Sequence, residues 1–179
     1  ALMDRVLAGM GVLGTAARPM LGATDRLAAA WLRRAGDPYL PDVLAIRAAM
    51  GRPGAATFAL SYEFGCTARV FEGSPPTLFR TLDWPFEGLG ARVELVRVES
   101  AAGPWITATW PGVVGVVHGA APGRFAAALN QAPLRRTGLG LVADAGAARI
   151  RVAGRRAIPP PHLLRRVFET APDFETARR

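Results

Sequence analysis

The amino-acid sequence predicts an α+β domain, and three observations carry that prediction. The first 50 residues hold apolar side chains at helical spacing, punctuated by Pro19, Gly36 and Gly51. Residues 92–129 hold short apolar runs separated by Gly/Pro turns, the pattern of a multi-stranded antiparallel sheet. After Pro159-Pro160-Pro161 the helical period returns over residues 162–170. Half of the 179 residues are hydrophobic, enough for one sizeable core.

Leu2, Val6, Leu7 and Met10 share a helical face that Gly11 and Gly14 weaken, and Pro19 marks a new start. Thr24 or Asp25 is placed to cap a helix that carries Leu27, Trp31 and Leu32 and stops at Gly36. Asp37-Pro38 is a turn signal. Residues 41–50 then read as a helix, with Pro41 at its first position and Gly51 at its C-terminal cap. Residues 57–64 are apolar, and their period fits helix and strand equally.

Residues 68–71 and 77–82 form a hairpin about the turn Glu72-Gly73-Ser74-Pro75-Pro76. The glycine-rich run at 86–90 lacks the Gly-Lys-Ser/Thr ending of a phosphate loop. Strands are expected at 92–98, 105–110, 113–118 and 125–129. His118, at the end of the third, reads as a structural histidine, because no carboxylate or second ligand is spaced to pair with it. Residues 135–157, rich in glycine and arginine, read as a loop with a short strand at 150–152. The helix at 162–170 places Leu163, Leu164, Val167 and Phe168 on one side and Arg165-Arg166 outward. A last helix begins at Phe174 and is cut off after little more than a turn, which points to a C-terminal part beyond the chain.

The formal charge is +8, and every one of the 22 basic residues is arginine. They are scattered, apart from pairs such as Arg33-Arg34 and Arg155-Arg156, without the clustered basic face and interleaved aromatics of a nucleic-acid interface. Nucleic acid is therefore not an expected partner. One cysteine excludes an internal disulfide framework and a multi-cysteine zinc site, and no metal or organic cofactor is expected. No apolar run reaches the roughly 18–20 residues of a membrane span. Asp4 and Arg5 break the N-terminal apolar stretch, so no signal peptide is visible and a cytoplasmic location is expected. The chain starts without methionine, which leaves a leader before it open.

The chemistry concentrates between Gly65-Cys66-Thr67 and Arg80-Thr81-Leu82-Asp83-Trp84. A thiol becomes a strong nucleophile only as thiolate, and its free pKa is about 8.5. If the Gly65–Cys66 bond is cut, the new α-amino group, of pKa about 7.7–8.0, can take the thiol proton on the same residue. No histidine is then required. Arg80 would hold the thiolate by charge, and Asp83 would accept hydrogen bonds from the new ammonium. Residues i and i+3 on a strand face opposite ways, so Arg80 and Asp83 converge only at a strand end or bulge, and Trp84-Pro85 suggests an end. Asn130 and Gln131 are the sole asparagine and glutamine. An amide there either donates to an oxyanion or makes a turn. The bland reading of the same residues is a buried apolar cysteine beside a surface ion pair.

The series Leu60-Ser61-Tyr62-Glu63, Gly65-Cys66-Thr67, Arg80-x-x-Asp83-Trp84 and Leu129-Asn130 resembles the acid ceramidase and N-acylethanolamine-hydrolysing acid amidase family. The runs from Gly112 to His118 and Pro122-Gly123-Arg124-Phe125 share in the likeness, which extends from about residue 40 to the end. That family is related to the bile-salt hydrolases and penicillin V acylases among the N-terminal-nucleophile hydrolases. The resemblance implies an αββα sandwich. It also implies self-cleavage before Cys66, giving an α chain of residues 1–65 and a β chain from residue 66. The implied reaction is hydrolysis of a non-peptide C–N amide bond through an acyl-thioester. Cys66, Arg80, Asp83 and Asn130 match the family's active-site residues. Gln131 stands where ceramidase-like members carry glutamate, and a further downstream asparagine and arginine lie beyond this chain. Trp84, Phe86 and Gln131 are expected along an apolar acyl site. A non-catalytic binding domain of the same fold and a bile-salt or penicillin-type acylase are the competing expectations.

Overall fold

In the computed structural model the described residues are 19–60, 65–83, 88–131, 138 and 140–179. They form a mixed α+β architecture with two antiparallel sheets.

Among the described residues three helices come first: α1 (Leu21–Arg34), α2 (Leu40–Met50) and α3 (Ala55–Ala59). Gly51 ends α2 with φ of 63°, the left-handed conformation that glycine adopts without steric cost. Trp31, Leu32, Tyr39, Val43 and Ala56 bury together between the three helices. Leu27, expected on the apolar side, is instead exposed. Asp25 does not cap its own helix. It lies buried within α1, and its Oδ1 accepts from the backbone N–H groups of Ala56 and Thr57 at 2.9 and 3.1 Å. A carboxylate there satisfies the free donors at the start of α3 and favours its positive dipole end. Arg47 approaches the other oxygen at 3.3 Å. Residues 57–64 are thus helical at their start, while residues 61–64 lie outside the described residues.

The hairpin β1 (Gly65–Phe71) and β2 (Thr77–Asp83) is the smaller sheet. The larger runs in the order β3 (Glu94–Val98), β4 (Trp105–Thr109), β5 (His118–Ala121) and β6 (Phe125–Ala128), a meander whose neighbours all pair antiparallel. One face of this sheet packs on α5 (Pro160–Thr170). Phe168 stacks on Trp105 and Phe125, with ring centroids 5.2 and 5.1 Å apart. A side chain at position 119 would meet them badly, since a Cβ on Gly119 would lie 2.8 Å from the Ile106 carbonyl oxygen and 3.1 Å from the Phe168 ring. A short helix, α6 (Phe174–Arg178), follows, capped by Asp173, whose carboxylate accepts from the Thr176 N–H at 2.7 Å.

Two further expectations fail. Residues 113–117 are no strand; β5 starts only at His118. Alternation fails because successive side chains enter different cores: Val113 packs near Leu89 and Trp110, Val114 among the helices, Val116 against the sheet. The backbone groups bond outside any ladder, with Val116 N–H donating to Pro161 O at 3.0 Å and the Val114 carbonyl accepting from Arg165 at 3.2 Å. Residues 141–153, read as loop and strand, form helix α4 (Leu141–Ala153). Its C-terminal carbonyls are gripped by α1: Arg34 donates to Ala153 O at 2.5 Å, and Trp31 Nε1 donates just beyond, to Arg155 O, at 3.0 Å. The run holds one glycine among alanines, a leucine and arginines, all good helix formers, so its own propensity supports the helix that these contacts hold in place.

A buried histidine–aspartate contact and the residues around it set the frame. His162, at the start of α5, is fully buried and meets Asp37 Oδ2 at 2.7 Å through Nδ1, while Asp37 Oδ1 accepts from Tyr39 N–H at 2.8 Å. Tyr39 donates its hydroxyl to Glu169 at 2.6 Å, and burial with that carboxylate pushes its phenol pKa well above the ordinary value. Arg165 lies over the Tyr39 ring at 4.2 Å and pairs with Glu169 and Asp42. These contacts pin α5 to the chain around α2, with residues 113–117 passing between.

Candidate active site

Register in the small hairpin decides which side chains meet. Gly65 pairs with Asp83, Cys66 with Leu82, Thr67 with Thr81 and Ala68 with Arg80. Residues opposite one another share a face, and faces alternate along each strand. Cys66 and Arg80 therefore share one face, and Gly65, Thr67 and Asp83 the other.

Arg80 spans the gap between the two sheets. Its Nη2 donates to Cys66 Sγ at 3.1 Å and to the Leu129 carbonyl. Its Nη1 donates to the Val117 carbonyl at 2.7 Å and meets His118 Nδ1 at 3.0 Å. A guanidinium has no lone pair to offer, so His118 Nδ1 is the acceptor and the ring proton sits on Nε2. Burial first, and the Arg80 charge second, hold the His118 pKa below its ordinary 6.5. The Leu129 N–H donates to the same Val117 carbonyl at 2.8 Å, which ties the end of β6 to the start of β5.

Asp83 does not converge with Arg80. It is the last residue of β2, in register opposite Gly65, and alternation carries it to the far face. There it accepts a long hydrogen bond of 3.5 Å from the Thr67 hydroxyl. The two charged residues thus bracket the Gly65–Cys66 peptide from opposite faces, the guanidinium at the sulfur and the carboxylate across from Gly65. Strand alternation held through Asp83, and the strand end came too late to turn it.

Cys66 is half-buried, and Gly65, Asp83, Asn130 and Gln131 are exposed. Asn130 follows directly on Leu129, so the Arg80 contact fixes the backbone from which its side chain departs. Trp84 and Phe86 lie outside the described residues. His118 is the residue that sequence reasoning missed. The available signal was positional, because His118 opens the strand that pairs with β6 and so shares a ladder end with Leu129-Asn130. Among the described residues no three His, Cys, Asp or Glu side chains gather as metal ligands, and no helix is long and apolar enough to cross a membrane. Comparison with family models, curated proteins and solved structures returns no match.

What this arrangement can do chemically follows from its donors. A cation in contact with sulfur favours the anionic, nucleophilic form. The site also places a main-chain bond with glycine on one side and the thiol on the other, so the sulfur is one residue from the carbonyl it would attack in self-cleavage.

Proposed function

We propose that the chain is an N-terminal-nucleophile amidohydrolase of the acid ceramidase-like kind, with the αββα fold that goes with it, acting on an N-acyl amide with an apolar acyl chain. The observation that carries the reading is the Arg80 guanidinium on Cys66 Sγ at 3.1 Å, joined to the backbone immediately before Asn130. Cleavage at Gly65–Cys66 frees the amine that serves as base. The thiolate attacks the amide carbonyl, the amine passes its proton to the leaving nitrogen, and the acyl group stays on sulfur as a thioester. Water, deprotonated by the same amine, then releases the acid. Asn130 donates to the oxyanion, a contribution worth about 3 kcal/mol in related sites. Asp83, across from Gly65, orients the ammonium once the peptide is gone. Trp84, Phe86 and Gln131 border the acyl site.

The test is hydrolysis of a panel holding an N-acylethanolamine, a ceramide, a conjugated bile acid and penicillin V. Release of free acid, with a transient acyl adduct on the fragment that begins at Cys66, is expected for at least one. Hydrolysis that persists undiminished in Cys66→Ala contradicts the mechanism.

A further inference from the structure

Arg80 has an uncommon set of partners. Among the described residues all are neutral: two carbonyls, an imidazole and a sulfur, with no carboxylate. Arg124 also bonds only to carbonyls among the described residues, so the imidazole and the sulfur are what set Arg80 apart, and a carboxylate in their place would offset the charge held at the sulfur. An imidazole lone pair orients the guanidinium and leaves its charge uncompensated. The planar fork has few free orientations once three acceptors are set. Val117 O and His118 Nδ1 use both hydrogens of Nη1, and Leu129 O uses one of Nη2. The hydrogen left on Nη2 then points at Cys66. Two of these acceptors belong to adjacent residues at the start of β5, so strand and side chain act together.

We propose that His118 is a positioning residue for Arg80, its Nδ1 lone pair aiming the guanidinium at the Cys66 sulfur. The inference rests on Cys66 being the nucleophile, but its test does not need amidase activity. The ionisable groups assembled with the ring are Arg80 from β2 and, through it, Cys66 from β1. Its neighbours on β4 and β6 bring the Thr107 hydroxyl, bonded to the His118 carbonyl at 2.7 Å, and Ala128 across the ladder. Protonation of His118 turns Nδ1 from acceptor to donor and sets a second cation against the first, so acid dismantles the arrangement.

Cys66 is the sole cysteine of these 179 residues, so a thiol reagent applied to this chain reports on it alone. We would measure its alkylation by iodoacetamide at neutral pH in the wild type, His118→Leu, His118→Asn and Arg80→Leu. His118→Leu and Arg80→Leu should each slow alkylation about tenfold, and the double variant no further, because the two act as one unit. His118→Asn, whose amide oxygen lies where Nδ1 was, should recover to within about twofold of wild type. General loosening of the fold exposes the sulfur and speeds alkylation, the opposite sign. An unchanged or faster rate in His118→Leu, or no recovery in His118→Asn, overturns the proposal. Should His118→Leu fail to fold, ¹⁵N spectra of the wild-type ring decide: an unprotonated Nδ1 at neutral pH is required, and a protonated one overturns it. If alkylation behaves as expected while the chain stays uncut and hydrolyses nothing, the functional reading fails and the positioning role stands.

Discussion

The two histidines of the chain are used in opposite ways. His162 is fully buried at the head of α5 and faces the carboxylate of Asp37. His118 is half-buried at the head of β5 and faces the guanidinium of Arg80. A carboxylate accepts from a proton-bearing nitrogen, so His162 serves as a donor and ties α5 to the turn before α2. A guanidinium demands a lone pair, so His118 serves as an acceptor and holds a charge in place. The same side chain acts as a structural pin or as a site component according to the sign of its neighbour.

That contrast can be broken from the structural side first. Phe168→Ala removes the ring stacked between Trp105 and Phe125 and should cost about 4 kcal/mol in urea unfolding. Asp37→Ala strips His162 and the Tyr39 N–H of their shared acceptor and should cost about 3 kcal/mol, while the Cys66 alkylation rate of the folded protein stays within about twofold of wild type. A large change in thiol reactivity from Asp37→Ala would dissolve the distinction between pin and site.

The pH dependence sharpens it from the other side. His118 titrates below its ordinary 6.5 in the folded state, so the unfolded chain binds the proton more tightly. Its contribution to stability is complete above about pH 6.5 and is lost as pH falls through the lowered folded value. Urea midpoints measured between neutral and acid pH should show this loss in the wild type and a shallower loss in His118→Leu. Smallest of all, Tyr39→Phe deletes one hydroxyl bond to Glu169 and should cost about 1 kcal/mol, with no effect on the site.

The sequence made local features legible and long-range ones obscure. Pro41 and Gly51 bounded α2 to within a residue, because both act through their own backbone angles. The hairpin about residues 72–76 and strands β3, β4 and β6 were legible from alternation and turn chemistry. The segment 113–117 was not, because its valines serve three different cores and only tertiary contacts say so. Helix α4 was passed over because the glycines and prolines that flank it gave the whole stretch a loop-like composition, although the run itself is rich in alanine, a good helix former. At the site, Arg80 lies on Cys66, and the period-2 rule set the condition that Asp83 would face away unless the strand ended first, the end that Trp84-Pro85 suggested and that comes only after Asp83. His118 stayed hidden because its partner is a cation 38 residues distant, and a search for acid or metal partners passes over it.

The most direct measurement is the intact mass of the protein expressed from its full gene, beside a Cys66→Ala control. The account predicts two fragments divided between Gly65 and Cys66 in the wild type and one uncut chain in the control. A single uncut wild-type chain would leave Cys66 without its α-amino base and would contradict the proposed mechanism.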